Sequence, residues 1–458
     1  MKKSINNLKI NINSFAQKGK WQSIAVKVTY SDLFWLLVIC GMIRLVFYSC
    51  FLVTTNSDSE TYLNYRANIF MGQVDCYRTP VYPYFIKLLN LFGADNLFQN
   101  IVIVQSVISY LTIIIFYKTL RTFFKNKKVI VSASLIYGVI PAIINYDKCI
   151  LTESISISAF VLFIYFIVNY LNKPTILKAI LFTMYTFFLI MLRPSFIYLL
   201  PLVIMFWGFR IFIIRKELKN CLSGFAASFL CILLILGYYH LNYLNNGYKR
   251  LTTVSIFNNL EIIIDYDIYK NNNDSEITET IINFPPAKKK SRYGIAWTIY
   301  SQYSDERIRK FITNCYFNHP GIYAKKTLEK IYNMGFESSS SIYAKTTGGT
   351  LCGLTHAFHY IFSISFFSIY ILLLFDCICI IVLWLRLKKV PWLKIIIWSV
   401  ITGQLVVYFI GGPMEPQRLF VEVLPFVIIL IFYYIDIILS SIDRDKLRQH
   451  HLLTNEEK

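Results

Sequence analysis

A chain of 458 residues that is 56% hydrophobic and 17% aromatic, with a mean hydropathy of +0.50, is too apolar for an ordinary soluble domain. Its net charge of +20 does not call for a nucleic acid, because roughly half of its Lys and Arg residues fall in the N-terminal segment and in short clusters between apolar runs, where membrane topology explains them. The ten cysteines are scattered, most of them inside apolar runs, and show neither a disulfide framework nor CxxC-type metal spacing. The chain contains no GxxxxGK[ST] and no usable GxGxxG phosphate loop.

In chain order, the basic segment 1–30 is too long and polar for a cleavable leader and predicts a cytosolic lead into a retained signal anchor. Apolar runs long enough to cross a hydrocarbon core of about 30 Å as helix follow at 31–53, 99–120, 129–146, 153–171, 176–192, 195–214, 221–241, 355–385, 393–411 and 419–440. An all-α integral membrane protein of about ten transmembrane helices is expected. Its parts are a cytosolic segment 1–30, a seven-span module 31–241 with an outer loop 54–98, an extracytoplasmic loop domain 242–353, a three-span module 354–440 and a cytosolic tail 441–458. The clusters RTFFKNKK, NKPTILK, RKELKN, RLKKVPWLK and DRDKLRQHH all fall on the side of the N-terminus. The positive-inside rule assigns that side, with both termini, to the cytoplasm.

The opposite side carries interfacial helices in the loop 54–98, a turn at 147–152, the corner LRPS (192–195), the segment 242–353 and GGPMEPQR (411–418). Within 242–353, NHPGIYAKKTLEKIYNMG predicts an amphipathic helix on the membrane surface, with Pro320 at its start. SSSSIYAKTTGGT (338–350) reads as a flexible linker, and PAKKKSRYG (286–294) as a solvated basic loop or a grip on anionic lipid carriers.

Polar residues concentrate at this outer side. In TTNSDSETYLNYRANIF (54–70), Ser57 and Glu60 have capping-box spacing and Asp58 lies in the first turn, so capping alone accounts for both acids. Arg78 suits a phosphate clamp or a headgroup contact. Arg193 closes a span before Pro194, as an interfacial snorkelling residue would, and Arg418 has an ordinary i+4 partner in Glu422. Asp147, Lys148 and Glu153 cluster between the third and fourth spans, where charges are costly enough to suggest a site; Glu153 equally suits the first turn of a helix. Arg44, roughly 13 Å of helix rise inside the first span, calls for a buried acid or a lipid phosphate. His356 and His359 have the i, i+3 spacing of a metal pair, but two interfacial aromatics explain them more simply.

On these residues the chain resembles the C-type glycosyltransferase superfamily, polytopic enzymes that use polyprenyl-phosphate sugars, and within it the protein O-mannosyltransferases and aminoarabinose transferases. The resemblance is carried by Asp58, Tyr62, Ala67 and Gly72, then YRTPVYP (77–83), PAIINYDKCILTES (141–154), LRPS and Arg418, and it covers roughly residues 30–240. It departs from the family where Glu60 follows Asp58 only after Ser59, and it finds nothing to match 242–353. The resemblance implies Asp58 as the catalytic base of an inverting sugar transfer, with Arg78, Arg193 and Arg418 binding the donor phosphate. Glu60, Asp147, Lys148 and Glu153 would be secondary residues holding a metal or positioning the donor, with Mg or Mn as the divalent cation that some relatives use. The implied partners are a polyprenyl-phosphate-linked sugar, membrane lipids and an acceptor lipid, glycan or protein, without nucleic acid. The Ile, Asn, Lys and Tyr richness suits an AT-rich bacterial genome and hence a bacterial plasma membrane, with the active site extracytoplasmic. Two alternatives stand beside it: an O-antigen-polymerase-like enzyme joining lipid-linked repeats, and a transporter or flippase for lipid-linked sugars, which would place polar groups on broken helices near the midplane.

Overall fold

The computed structural model describes residues 31–456 apart from 94, 214–216, 271, 273, 285–291, 388–390 and 412–414. The basic segment 1–30 and most of PAKKKSRYG lie outside the described residues. The chain is about 81% helical, and strand pairing among the described residues is confined to isolated bridges.

The first membrane module opens with α1 (Ser31–Cys50). The first outer loop carries α2 (Ser57–Leu63) and α3 (Val81–Asn90), and α4 (Leu97–Phe123) returns across the module. Next, α5 (Lys127–Val139) bends by 41° into the segment Pro141–Lys148, of which α6 (Pro141–Ile144) is the first turn. Proline causes the bend: Pro141 has no N–H to donate, and it holds Ile140 in extended backbone at ψ 121°. The module is completed by α7 (Glu153–Asn172), α8 (Ile176–Leu192), α9 (Leu199–Ile213) and α10 (Leu218–Asn246). The small side chains of Ser154, Ser156, Ser158 and Ala159 are buried and let neighbouring helices approach α7 closely. At Gly224 on α10 a Cβ would meet the Trp207 ring of α9 at 2.3 Å, so only glycine permits that approach.

A separate helical unit follows, made of α11 (Val254–Asp265), α12 (Ser275–Ile282), α13 (Arg292–Gln302), α14 (Asp305–Asn318) and α15 (Pro320–Gly335). It has an apolar core of its own around Ile256, Leu260, Ile277, Ile299 and Phe311. It is tied to the first loop by Thr253 N–H donating to Cys76 O at 2.7 Å. The expected amphipathic helix is α15, with Pro320 in its first turn and with Ile322 and Leu328 exposed. The second membrane module comprises α16 (Thr350–Phe362), α17 (Phe366–Leu387), α18 (Trp392–Gly411), α19 (Pro416–Phe420) and α20 (Leu424–Glu456).

Among the described residues, eight helices are long and apolar enough to cross a membrane, or nine if the bent α5–α6 pair is one span, while α8 is a shorter apolar helix. These are the long apolar helices of a multi-pass, all-α membrane protein. Two expectations are corrected. The run 355–385 is not one span: at Ser363–Ser365 the chain leaves α16 and restarts as α17. Ser363 Oγ donates to Tyr360 O at 3.0 Å, and Ser365 Oγ accepts Ser368 N–H at 3.2 Å, so two serines inside an apolar run cap two helices. The stretch 338–350 is no free linker either. It runs as a strap over the C-terminal end of α1: Leu52 N–H donates to Lys345 O at 2.8 Å and Thr347 N–H to Cys50 O at 2.9 Å. It takes up backbone groups that the helix end leaves unpaired.

Candidate functional site at the outer helix ends

The helix α2 starts one residue earlier in its capping logic than the sequence suggests. Asn56, in extended backbone, accepts Ser59 N–H, and Ser59 Oγ accepts Asn56 N–H, both at 3.0 Å. The capping box is therefore Asn56 with Ser59, not Ser57 with Glu60, because the side chain with its carbonyl oxygen already turned back onto the helix is Asn56. Asn56 also donates to Tyr343 Oη at 2.7 Å, fastening α2 to the strap. This register buries Ser59, leaves Glu60 exposed and turns Asp58 toward the protein.

Arg78 is placed by an Asx turn, in which Asp75 Oδ1 accepts the backbone N–H of Tyr77 at 2.7 Å and of Arg78 at 2.8 Å. Its guanidinium is then held on three edges. Nε donates to Thr61 Oγ1 at 2.6 Å, NH1 to Tyr62 Oη at 3.1 Å and NH2 to Asp58 Oδ1 at 2.6 Å, with the Tyr62 ring 4.3 Å below. Arg418 reaches the other carboxylate oxygen, NH2 to Asp58 Oδ2 at 2.7 Å. It lies in α19 behind Glu415, whose φ of 60° is a left-handed conformation uncommon outside glycine. That strained residue supplies a carboxylate to Arg418 NH1 at 2.9 Å. Arg418 Nε donates to Glu153 at the start of α7.

Glu153 in turn forms an ion pair with Arg193 NH1 at 2.9 Å. The same NH1 donates to Glu422 Oε1 at 2.5 Å and Thr152 Oγ1 at 3.2 Å, and Gln404 Nε2 closes the far end on Glu422 Oε2 at 3.3 Å. Five helix ends thus meet in one alternating chain: Arg78, Asp58, Arg418, Glu153, Arg193, Glu422. Its exposure is graded, since the side chains of Glu153 and Glu422 are 0% exposed while that of Asp58 is 33% exposed. The chain is sealed at one end and open at the other. Burial pushes the Asp58 carboxyl up, but Arg78 and then Arg418 outweigh it and hold it at about 2.

Of the residues singled out in the sequence, Asp58, Arg78, Arg193, Arg418 and Glu153 come together here. Glu60 joins none of these ion pairs among the described residues. Asp147 belongs to another place: its Oδ2 accepts Arg44 NH1 at 3.2 Å and Tyr48 Oη at 2.7 Å, and its Oδ1 accepts Ser154 Oγ at 2.6 Å. Asp147 is therefore the buried acid that Arg44 calls for. Lys148 lies half-buried with Nζ 5.6 Å from the Tyr48 ring. The i+4 pair of Arg418 with Glu422 does not form as expected, because Glu422 turns to Arg193 and Arg418 to Asp58, Glu153 and Glu415. Sequence reasoning missed Glu415, Gln404 and Tyr343. A glutamine inside an apolar run was the one signal available. It also passed over Asp376, fully buried, which accepts Lys394 Nζ at 2.7 Å and Tyr434 Oη at 2.5 Å inside the second module.

Among the described residues no group of three or more His, Cys, Asp or Glu is placed to hold a metal ion. The donor set at the site does not fit a divalent cation: the carboxylate oxygens of Asp58 and Oε1 of Glu153 already accept from guanidinium groups, and a cation would have to displace them. Among the described residues, His356 and His359 on α16 have no third such partner. Compared with protein-family models and with curated proteins, the chain matches no family model and no curated sequence.

Proposed function

We propose that the chain is a ten-span glycosyltransferase of a bacterial plasma membrane, moving a sugar from a polyprenyl-phosphate donor to an extracytoplasmic acceptor with inversion. The observation that carries the proposal is Asp58, a solvent-reachable carboxylate set between two guanidinium groups at the outer helix ends. Sugar transfer from a lipid phosphate needs this combination. The acceptor hydroxyl attacks the anomeric carbon from the face opposite the phosphate, and Asp58 takes its proton. The bond from the anomeric carbon to the phosphate oxygen breaks, and the electron pair leaves on a phosphate whose growing charge Arg78 and Arg418 are placed to stabilise. Arg193, one acid further in, orients Glu153 and through it Arg418. The resemblance to C-type glycosyltransferases supports the same roles, and the ten-span count follows if the bent α5–α6 pair and α8 both cross.

The test is transfer from a polyprenyl-phosphate sugar by the reconstituted protein. Asp58→Asn should lower the rate by about 100-fold or more while the protein stays folded at the assay temperature, and full activity in that variant would remove the base. Cysteine accessibility placing residue 58 in the cytoplasm would remove the enzyme reading with it. The transporter alternative draws on the Arg44–Asp147 and Asp376–Lys394 pairs inside the membrane modules and on the broken α5–α6 helix. These acids are buried and already partnered, whereas a transport site needs access from both sides in turn. Envelope glycans from cells lacking the protein would show which sugar and acceptor are lost, and loss of polymer length alone would favour the polymerase-like alternative.

A further inference from the structure

We propose that Asp58 is a built-in competitor for the phosphate group: it occupies the cradle between Arg78 and Arg418 that a phosphate monoester or diester takes, and phosphate binding releases it to act as base. The inference rests on the donor reading of the site above.

Three features of the cradle support it. First, each arginine gives Asp58 one NH2 group and is anchored elsewhere by its remaining edges, Arg78 by Thr61 and Tyr62, Arg418 by Glu153 and Glu415. The two guanidinium groups therefore stay in place when the carboxylate leaves, with both NH2 groups converging on the vacated position. Second, a phosphate presents pairs of oxygens in the geometry that guanidinium groups recognise, as a carboxylate does, and carries more acceptors. Third, Asp58 is the acid shared by both arginines, and it is free to move. Glu153 and Glu422 are fully buried and their release would strand charge in a low-dielectric interior, but Asp58 is part-exposed on the first turn of α2, where a change of rotamer carries it into water. The arrangement also resolves a chemical difficulty. A carboxylate whose two oxygens both accept from guanidinium groups is a poor proton acceptor, so a base at this position must first be freed from the arginines. A donor phosphate does that, which ties base activation to donor binding.

The experiment measures binding, separately from transfer, on the full-length protein in nanodiscs, with inorganic phosphate in one arm and sugar-free polyprenyl phosphate in the other. Removing the competitor should tighten binding. If Asp58 fills the cradle nine-tenths of the time, Asp58→Asn gains about tenfold in affinity. Tightening in both arms assigns the cradle to phosphate as such; tightening confined to the polyprenyl arm assigns it to the lipid-borne group. Equal or weaker binding by an Asp58→Asn protein that is folded at the temperature of the measurement overturns the proposal. A second measurement needs no variant: carbodiimide labelling of Asp58 in the wild type, read by mass spectrometry, should rise on phosphate binding, and protection or no change overturns the proposal. If neither ligand binds the wild type or the variant, the donor reading fails. If the wild type binds and the variant binds no better, the competitor role alone fails.

Discussion

The arginine–aspartate pair inside the first membrane module and the one at the helix ends above it are built from similar parts and contrast in access. Arg44 and Asp147 meet inside the first membrane module with side chains 2% and 0% exposed. Hydroxyls of Tyr48, Ser109 and Ser154 and the carbonyl of Gly138 supply most of their further hydrogen bonds, while Arg44 NH2 is buried without a partner among the described residues. At the outer helix ends, Asp58 bridges Arg78 and Arg418 with a third of its side chain open to solvent. A pair sealed from solvent is out of a ligand's reach, and removing one partner strands the other in low dielectric. A pair open at one end can exchange its partner. Access to solvent, more than residue type, separates a staple from a site.

That contrast can be broken at several points. The largest expected effect is on the staple: Arg44→Ala should destabilise the protein by about 3–5 kcal/mol, because Asp147 is left buried without its cation. Thermal unfolding in detergent checks this, and adding Asp147→Asn should recover part of the loss. Were Arg44→Ala to keep its stability and lose transfer instead, the two sites would have exchanged roles. At the open site, Arg418→Lys keeps the charge but cannot serve Asp58, Glu153 and Glu415 from one planar fork. It should lower transfer by about 10- to 100-fold, equivalent to about 1.4–2.7 kcal/mol of activation free energy, with little change in melting temperature.

A smaller effect is acid dependence. The folded-state value of Asp58, about 2, lies below that of an unfolded Asp, about 3.9. Its contribution to stability is therefore present above about pH 4 and lost as the pH falls toward 2, amounting to about 1–2 kcal/mol after solvent screening. Melting temperatures of wild type and Asp58→Asn should differ by a constant amount from pH 8 to 5 and converge below pH 4. The smallest effect is at Glu60, whose exposed side chain lies outside the ion chain. Glu60→Gln should change stability by no more than about 0.5 kcal/mol and leave transfer at the wild-type rate.

Much of the architecture was readable because long apolar runs can only be helices in a membrane, where each backbone donor must find its acceptor within the segment. The runs behind α1, α4, α7, α10, α18 and α20 are of this kind. The break at Ser363–Ser365 was hidden because hydropathy averages over a window and two serines barely lower it, although their hydroxyls cap two helices. Likewise, SSSSIYAKTTGGT has the composition of a flexible linker, and only the unpaired carbonyls at the end of α1 make it a strap.

At the site, the sequence determined which side chains were worth attention: Asp58, Arg78, Arg193, Arg418 and Glu153 stood out because charge beside a bilayer is costly. It could not pair them. Local spacing favoured Glu422 for Arg418, four residues away, and put Asp147 among the site acids. Tertiary structure gave Glu422 to Arg193 and Asp147 to Arg44, and joined Arg418 to an aspartate 360 residues earlier. Composition and periodicity report the energy of one segment against water or lipid, whereas the choice among several possible ion pairs depends on which helix ends meet, and that is settled by packing across the whole chain.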